Sequence, residues 1–172
     1  MWLFVPLLVL VTITTGGAIA AAAFRNAPRE TLWRLAGLGF VVNGLVIIYA
    51  ATVSGSSFRG GGYGTRFQLV PLKTIRQYLS GEPSRGTAMR NLLGNVALFV
   101  PVAVGLVLAG VRLRWCAAAL VALGVGVEVL QGLAHRSGDV DDVLLNGLGG
   151  IAVAAVVSGL KSRIAPSPSG SD

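Results

Sequence analysis

The chain has 172 residues, 53% of them hydrophobic and 12% charged, with a mean hydropathy of +0.74. A soluble domain carries about 25% charged residues, so this composition excludes the ordinary soluble classes and indicates a membrane protein. The formal net charge of +7 invites a nucleic-acid reading, but no basic helix or recognition module accompanies it, and no nucleic-acid partner is expected.

Crossing a hydrocarbon layer of about 30 Å takes roughly 20 apolar residues per helix. Five runs meet that criterion: 2–24, 35–53, 92–111, 115–134 and 143–160. The first ends in "AIAAAAF", which resembles a signal-peptide cleavage site. Because it lacks a basic amino-terminal flank and its arginines (Arg25, Arg29, Arg34) follow it, it is read as a retained helix, with a cleaved leader as the alternative. Those arginines place the amino terminus outside and the carboxyl terminus in the cytoplasm of a multi-pass cell-membrane protein. The arginines at 112 and 114 and the basic residues Lys161 and Arg163 then share the cytoplasmic side. The single cysteine, Cys116, offers neither a disulfide nor a metal knuckle. No cofactor and no metal are expected.

The division read from these runs is two amino-terminal helices over 1–60, an outer loop with three helices over 61–160, and a disordered tail over 161–172, rich in Ser, Pro and Gly. The fold class is all-α: a polytopic transmembrane helix bundle of about five spans, with a short interfacial segment in the second-to-third connection. That segment is "FQLVPLKTIRQYL", where Leu69, Val70, Leu72, Ile75 and Leu79 interleave with Lys73 and Arg76. It either lies in the membrane interface or begins a helix that covers the bundle. The nearby "GGGYG" lacks the Gly-Lys-Ser/Thr of a P-loop and reads as a turn.

With five spans, the second and fourth connections lie on one side of the membrane, and polar residues gather there. Asn91 and Asn95 share a face of the third span, Glu128, Gln131 and His135 form a stripe on the fourth, and Asp142 and Asn146 share a face of the fifth. Glu128 sits about 9 Å from its helix end, so it should turn into the bundle. There it should find Arg136, Arg90 or the amides of Asn91, Asn95 and Gln131, or else be protonated. The bland alternative is helix glue, with Asp139, Asp141 or Asp142 capping the fifth span. Gly105 and Ala109 in the third span, Gly124 and Gly126 in the fourth, and Gly147, Gly149 and Gly150 in the fifth suggest close packing of the last three spans, and Pro101 should bend the third.

"FQLVPLKTI", "RNLLGNVALFVPVAVGL", "EVLQ" and "RSGDVDDVLLNGLGG" occur in the order and spacing of the VanZ-like family of integral membrane proteins, which the chain resembles from about Phe67 to about Ala155. It departs from the usual pattern at Gln68, where Asn is expected, and at Leu72, where Phe is common. The resemblance implies an envelope protein of a family named after a member linked to low-level resistance to teicoplanin, a glycopeptide acting on wall precursors at the outer membrane face.

Three functions are consistent with these residues. The first is binding or modulation of a membrane lipid or lipid-linked precursor by Lys73, Arg76, Arg90, Asn91, Asn95, Glu128, Gln131, Arg136, Asp139, Asp142 and Asn146, since arginine matches phosphate bidentately. A second copy of the chain or an envelope protein is a further partner. The second is an intramembrane enzyme with Glu128 as general acid or base and Asp139 or Asp142 as its counterpart. The third, a small transporter using Glu128 and Arg136, finds no inverted repeat to support it.

Overall fold

The computed structural model describes residues 4–53, 66–81, 84–133 and 137–164. In chain order these form α1 (Phe4–Phe24), α2 (Arg29–Val53), β1 (Arg66–Gln68), α3 (Lys73–Ser80), α4 (Arg85–Leu108), α5 (Leu113–Leu133), β2 (Ser137–Asp139) and α6 (Val140–Ile164). The helices α1, α2, α4, α5 and α6 are long and apolar enough to cross a membrane. They make the polytopic bundle that the hydropathy pattern calls for.

Packing runs α1 on α2, α2 on α4, α4 on α6 and α6 on α5. The core is thin, as lipid-facing bundles allow: Phe99, Ala103, Cys116, Leu120 and Ala154 are fully enclosed, while Leu38, Leu93, Val129, Leu148 and Val156 point outward. Lipid tails are as apolar as leucine, so no hydrophobic drive holds the helices together, and close van der Waals approach must do so instead. Glycine permits that approach. At the α2–α4 crossing a Cβ on Gly105 would stand 2.6 Å from the Gly37 carbonyl oxygen and 2.7 Å from the Val41 nitrogen. On α6, Gly149 faces Val96 of α4, and Gly150 lies against Leu120 of α5 and Phe99 of α4.

These contacts correct one expectation. The small pair Gly105 and Ala109 seats α2, where Gly37 approaches both, and does not join the last three spans. Gly126 has nothing within 4 Å of where its Cβ would be. The α6 glycines do bring that helix close to both α4 and α5, as read from the sequence.

Two boundaries also differ from the sequence reading. Helix α6 continues to Ile164, so Lys161, Ser162 and Arg163 are helical rather than part of a tail. The Lys161 ammonium donates to the carbonyl oxygens of Val107 (3.0 Å) and Leu108 (3.2 Å) in the last turn of α4, where the Val107 oxygen also accepts the Gly110 N–H at 3.0 Å. Residues 165–172, which carry the rest of the expected tail, lie outside the described residues, as does "GGGYG". Helix α4 starts seven residues before its apolar run and continues through Pro101.

The bundle also contains a feature that no pattern in the sequence announced. β1 and β2 pair in parallel, with Arg66 opposite Ser137, Phe67 opposite Gly138 and Gln68 opposite Asp139. The pairing stitches the second connection to the fourth at one end of the bundle.

Candidate functional site

The site is built at that end from the starts of α3, α4 and α6 and the finish of α5. Phe67 enters first. Its ring lies against Gly132 of α5 and Gly138 of β2; a Cβ on Gly138 would stand 2.9 Å from that ring and 2.7 Å from the Glu128 carbonyl oxygen. Only glycine leaves room for the strand here. With β2 thus seated on α5, the Asp139 N–H donates to Glu128 Oε2 at 2.8 Å. Glu128 is buried, and this backbone amide is a partner that side-chain pairing with arginines or amides did not anticipate.

Asp139 then performs two tasks. Its Oδ1 accepts the Asp141 N–H at 2.9 Å, the N-cap bond that opens α6, and its Oδ2 accepts the Thr74 hydroxyl at 2.5 Å. The capping role expected of one of the three aspartates therefore falls to Asp139.

Asp141 is fully buried, and its carboxylate holds α3. Oδ1 accepts the Leu72 N–H at 2.5 Å; Oδ2 accepts those of Thr74 at 2.8 Å and Ile75 at 3.1 Å. A helix begins with amides that have no internal acceptor, and Leu72, at the N-cap of α3, has no side-chain oxygen to offer and adopts a left-handed φ of 63°. The acceptor has to come from elsewhere, and α6 supplies it from 69 residues away. The negative carboxylate also suits the positive end of the α3 dipole.

The remaining ties reach α4. Asn95 Nδ2 donates to Asp142 Oδ1, and Asn91 Nδ2 donates to the Tyr78 hydroxyl at 3.1 Å, so the two asparagines that share a face hold α6 and α3 respectively. Asn146 is buried one turn below Asp142, and its Oδ1 has no hydrogen-bond partner among the described residues. Gln131 is half-buried on α5. His135 and Arg136 lie outside the described residues. No three His, Cys, Asp or Glu side chains among the described residues converge as a metal site requires.

Of the expected ligand-binding set, the structure thus joins Asn91, Asn95, Glu128, Asp139 and Asp142 into one polar frame and sets Lys73, Arg76 and Arg90 exposed around it. Asp141 and Thr74, absent from that set, turn out to be central. The usable sign in the sequence was the α3 start itself, where "PLKT" opens a helix without an N-cap side chain of its own.

The second helix, α2, packs on α4 along its length, and the family comparison reaches it too. The VanZ/LLP1 family model matches residues 35–161. This chain belongs to the VanZ/LLP1 family. The match covers well over half of the chain and extends beyond the Phe67–Ala155 span of the motif resemblance: most of α2 belongs to the VanZ/LLP1 unit, while α1 precedes it. No curated protein and no solved structure matches the chain. In VanZ/LLP1 terms the four motifs read from the sequence are β1 with the α3 start, α4, the α5 finish, and β2 with α6, which are the elements that meet in the polar frame.

Proposed function

We propose that this VanZ/LLP1 protein binds or modulates an anionic lipid or lipid-linked envelope precursor at the outer membrane face, and that its carboxylates serve the site by holding α3 rather than by touching the ligand. The observation that carries the reading is the Asp141 carboxylate, whose three backbone bonds fix a short helix with Lys73 and Arg76 exposed. The same segment exposes Leu69 (73%), Val70 (60%) and Leu79 (83%). Exposed apolar side chains beside cations suit the boundary between acyl chains and phosphates. Arg90 on the first turns of α4 extends the basic rim. In this reading the amino terminus lies outside and the carboxyl terminus in the cytoplasm of a cell-membrane protein, and the glycopeptide-resistance association of the family fits a site facing wall precursors.

Native mass spectrometry of the protein released from mild detergent tests the proposal, comparing wild type with Lys73→Ala/Arg76→Ala/Arg90→Ala. A defined phosphate-bearing lipid should be retained by the wild type and lost from the triple variant. Equal retention by both would remove the basic rim as the binding element.

A second reading, an intramembrane enzyme using Glu128 with Asp139 or Asp142, draws support from the buried Asn146 oxygen beside these acids, a group able to orient a substrate. Turnover of lipid-linked phosphates that disappears in Glu128→Gln while lipid retention persists would favour it; full turnover in that variant would end it.

A further inference from the structure

The opposite end of the bundle holds a cavity of about 350 Å³ lined by Arg29, Glu30 and Trp33 at the start of α2, Leu108 at the finish of α4, and Val157, Leu160, Lys161 and Ile164 at the finish of α6. Its chemistry is divided. Leu108, Val157, Leu160 and Ile164 make an apolar wall continuous with the outward, lipid-facing surface of α6, where Leu160 and Ile164 are more than half exposed. Two cations stand at the mouth. The Arg29 guanidinium lies 5.7 Å from the centroid of the Trp33 ring, within cation–π range. Lys161 is held by the Val107 and Leu108 carbonyls, which use two of its three ammonium donors and leave one.

We propose that this cavity is an anionic-phospholipid site, with the phosphate between Arg29 and Lys161 and an acyl chain along Leu108, Val157, Leu160 and Ile164. Charge complementarity selects this occupant. Around the cavity, the chain ends and turns at this side also present Arg25, Arg34, Arg112, Arg114 and Arg163, and Glu30 is the single acid among the described residues there. Basic pockets between membrane helices are where anionic headgroups are retained. A volume near the small end of ligand cavities accommodates the headgroup junction and the first part of one chain, with the rest in the bilayer. Trp33 adds an indole at the depth where amphipathic rings settle. The cavity is on the other side of the membrane from α3, so the proposal stands or falls independently of the function proposed above.

Trp33 gives a local readout. In a Trp2→Phe/Trp115→Phe background, Trp33 is the sole tryptophan of the chain, and its quenching by dibrominated phosphatidylglycerol can be compared with that by dibrominated phosphatidylcholine at equal mole fraction in proteoliposomes. Phosphatidylglycerol should quench at lower mole fraction. Arg29→Gln should reduce that preference about five-fold, as expected for one cation near a headgroup. Val157→Phe, which fills the apolar wall without altering charge, should reduce it as well, and gives an answer even where loss of a cation disturbs folding. Equal quenching by the two lipids in the wild-type cavity would overturn the proposal, as would an unchanged preference in both variants. Reversal of the preference by inorganic phosphate beyond that caused by chloride at matched ionic strength would assign the cations to free phosphate and overturn the lipid assignment.

Discussion

Asp141 illustrates how a single side chain can decide a local structure. Its carboxylate satisfies three amides that belong to another helix, in a position with no exposure to solvent. Replacing it by Ala removes the acceptor from all three. Loss of an N-cap costs about 0.5–2 kcal/mol, and each donor left buried adds about 1–3 kcal/mol unless α3 moves to solvate it. The expected result of Asp141→Ala is detachment of α3 with the five long helices intact: amide exchange at Thr74 and Ile75 should accelerate at least ten-fold, while exchange in the α4 core near Phe99 stays slow. Equal acceleration in both regions would mean that the carboxylate supports the whole bundle. Asp139 and Asp142 were legible in the sequence as helix-start acids suited to the dipole, but which of the three aspartates caps α6 and which turns to α3 was not, because side chains one to three residues apart at a helix start differ only in the direction they leave the backbone.

Among the elements, the α2–α4 crossing is the tightest in argument, since backbone meets backbone there. Gly105→Ala would set a methyl group against the Gly37 carbonyl and the Val41 nitrogen, neither of which can rotate away. Overpacking of this kind costs about 1–3 kcal/mol, so the variant should melt earlier in detergent. Gly126→Ala has open space around it and improves helix propensity by up to about 1 kcal/mol; its melting temperature should stay level or rise slightly. A fall of the same size at both positions would contradict the crossing. The sequence offered glycine spacing as a sign of close packing but not the partner, because a small-residue stripe carries no information about which neighbour fills it. The α3 segment was similarly half legible. Its alternation of apolar and basic residues is visible in "FQLVPLKTIRQYL", whereas its attachment depends on acids near the other end of the chain.

For the molecule as a whole, five spans require the α3 end and the α6 carboxyl end to face opposite sides of the membrane. In a Cys116→Ala background, which removes the buried thiol, a cysteine at Lys73 should react with an impermeant maleimide only from outside intact cells, and one at Arg163 only after permeabilisation. Labelling of both from one side would contradict the five-span topology; the reverse pattern would keep the topology and invert the orientation. The charge distribution favours the first outcome. The α6 carboxyl end gathers cations with Glu30 as the one acid among the described residues there, while the α3 end mixes cations with Glu128, Asp139, Asp141 and Asp142. The same asymmetry separates the two sites proposed for lipid, a rim on α3 and α4 on one side and the Arg29–Lys161 cavity on the other.

By itself the sequence determined the fold class, the number of spans and their approximate limits, because hydrocarbon thickness imposes a length that can be counted. It also determined that polar residues of three helices meet at one level, since each crossing changes sides and the second and fourth connections therefore share one, and four linked motifs were enough to suggest the family. Only the tertiary structure decided the parallel β1–β2 pair, the Glu128 bond to the Asp139 amide, the Asp141 hold on α3 and the cavity between α2, α4 and α6. Except for the Glu128–Asp139 bond, which spans 11 residues, these join residues far apart in the chain, and all of them depend on how the helices rotate and cross, which local periodicity does not specify.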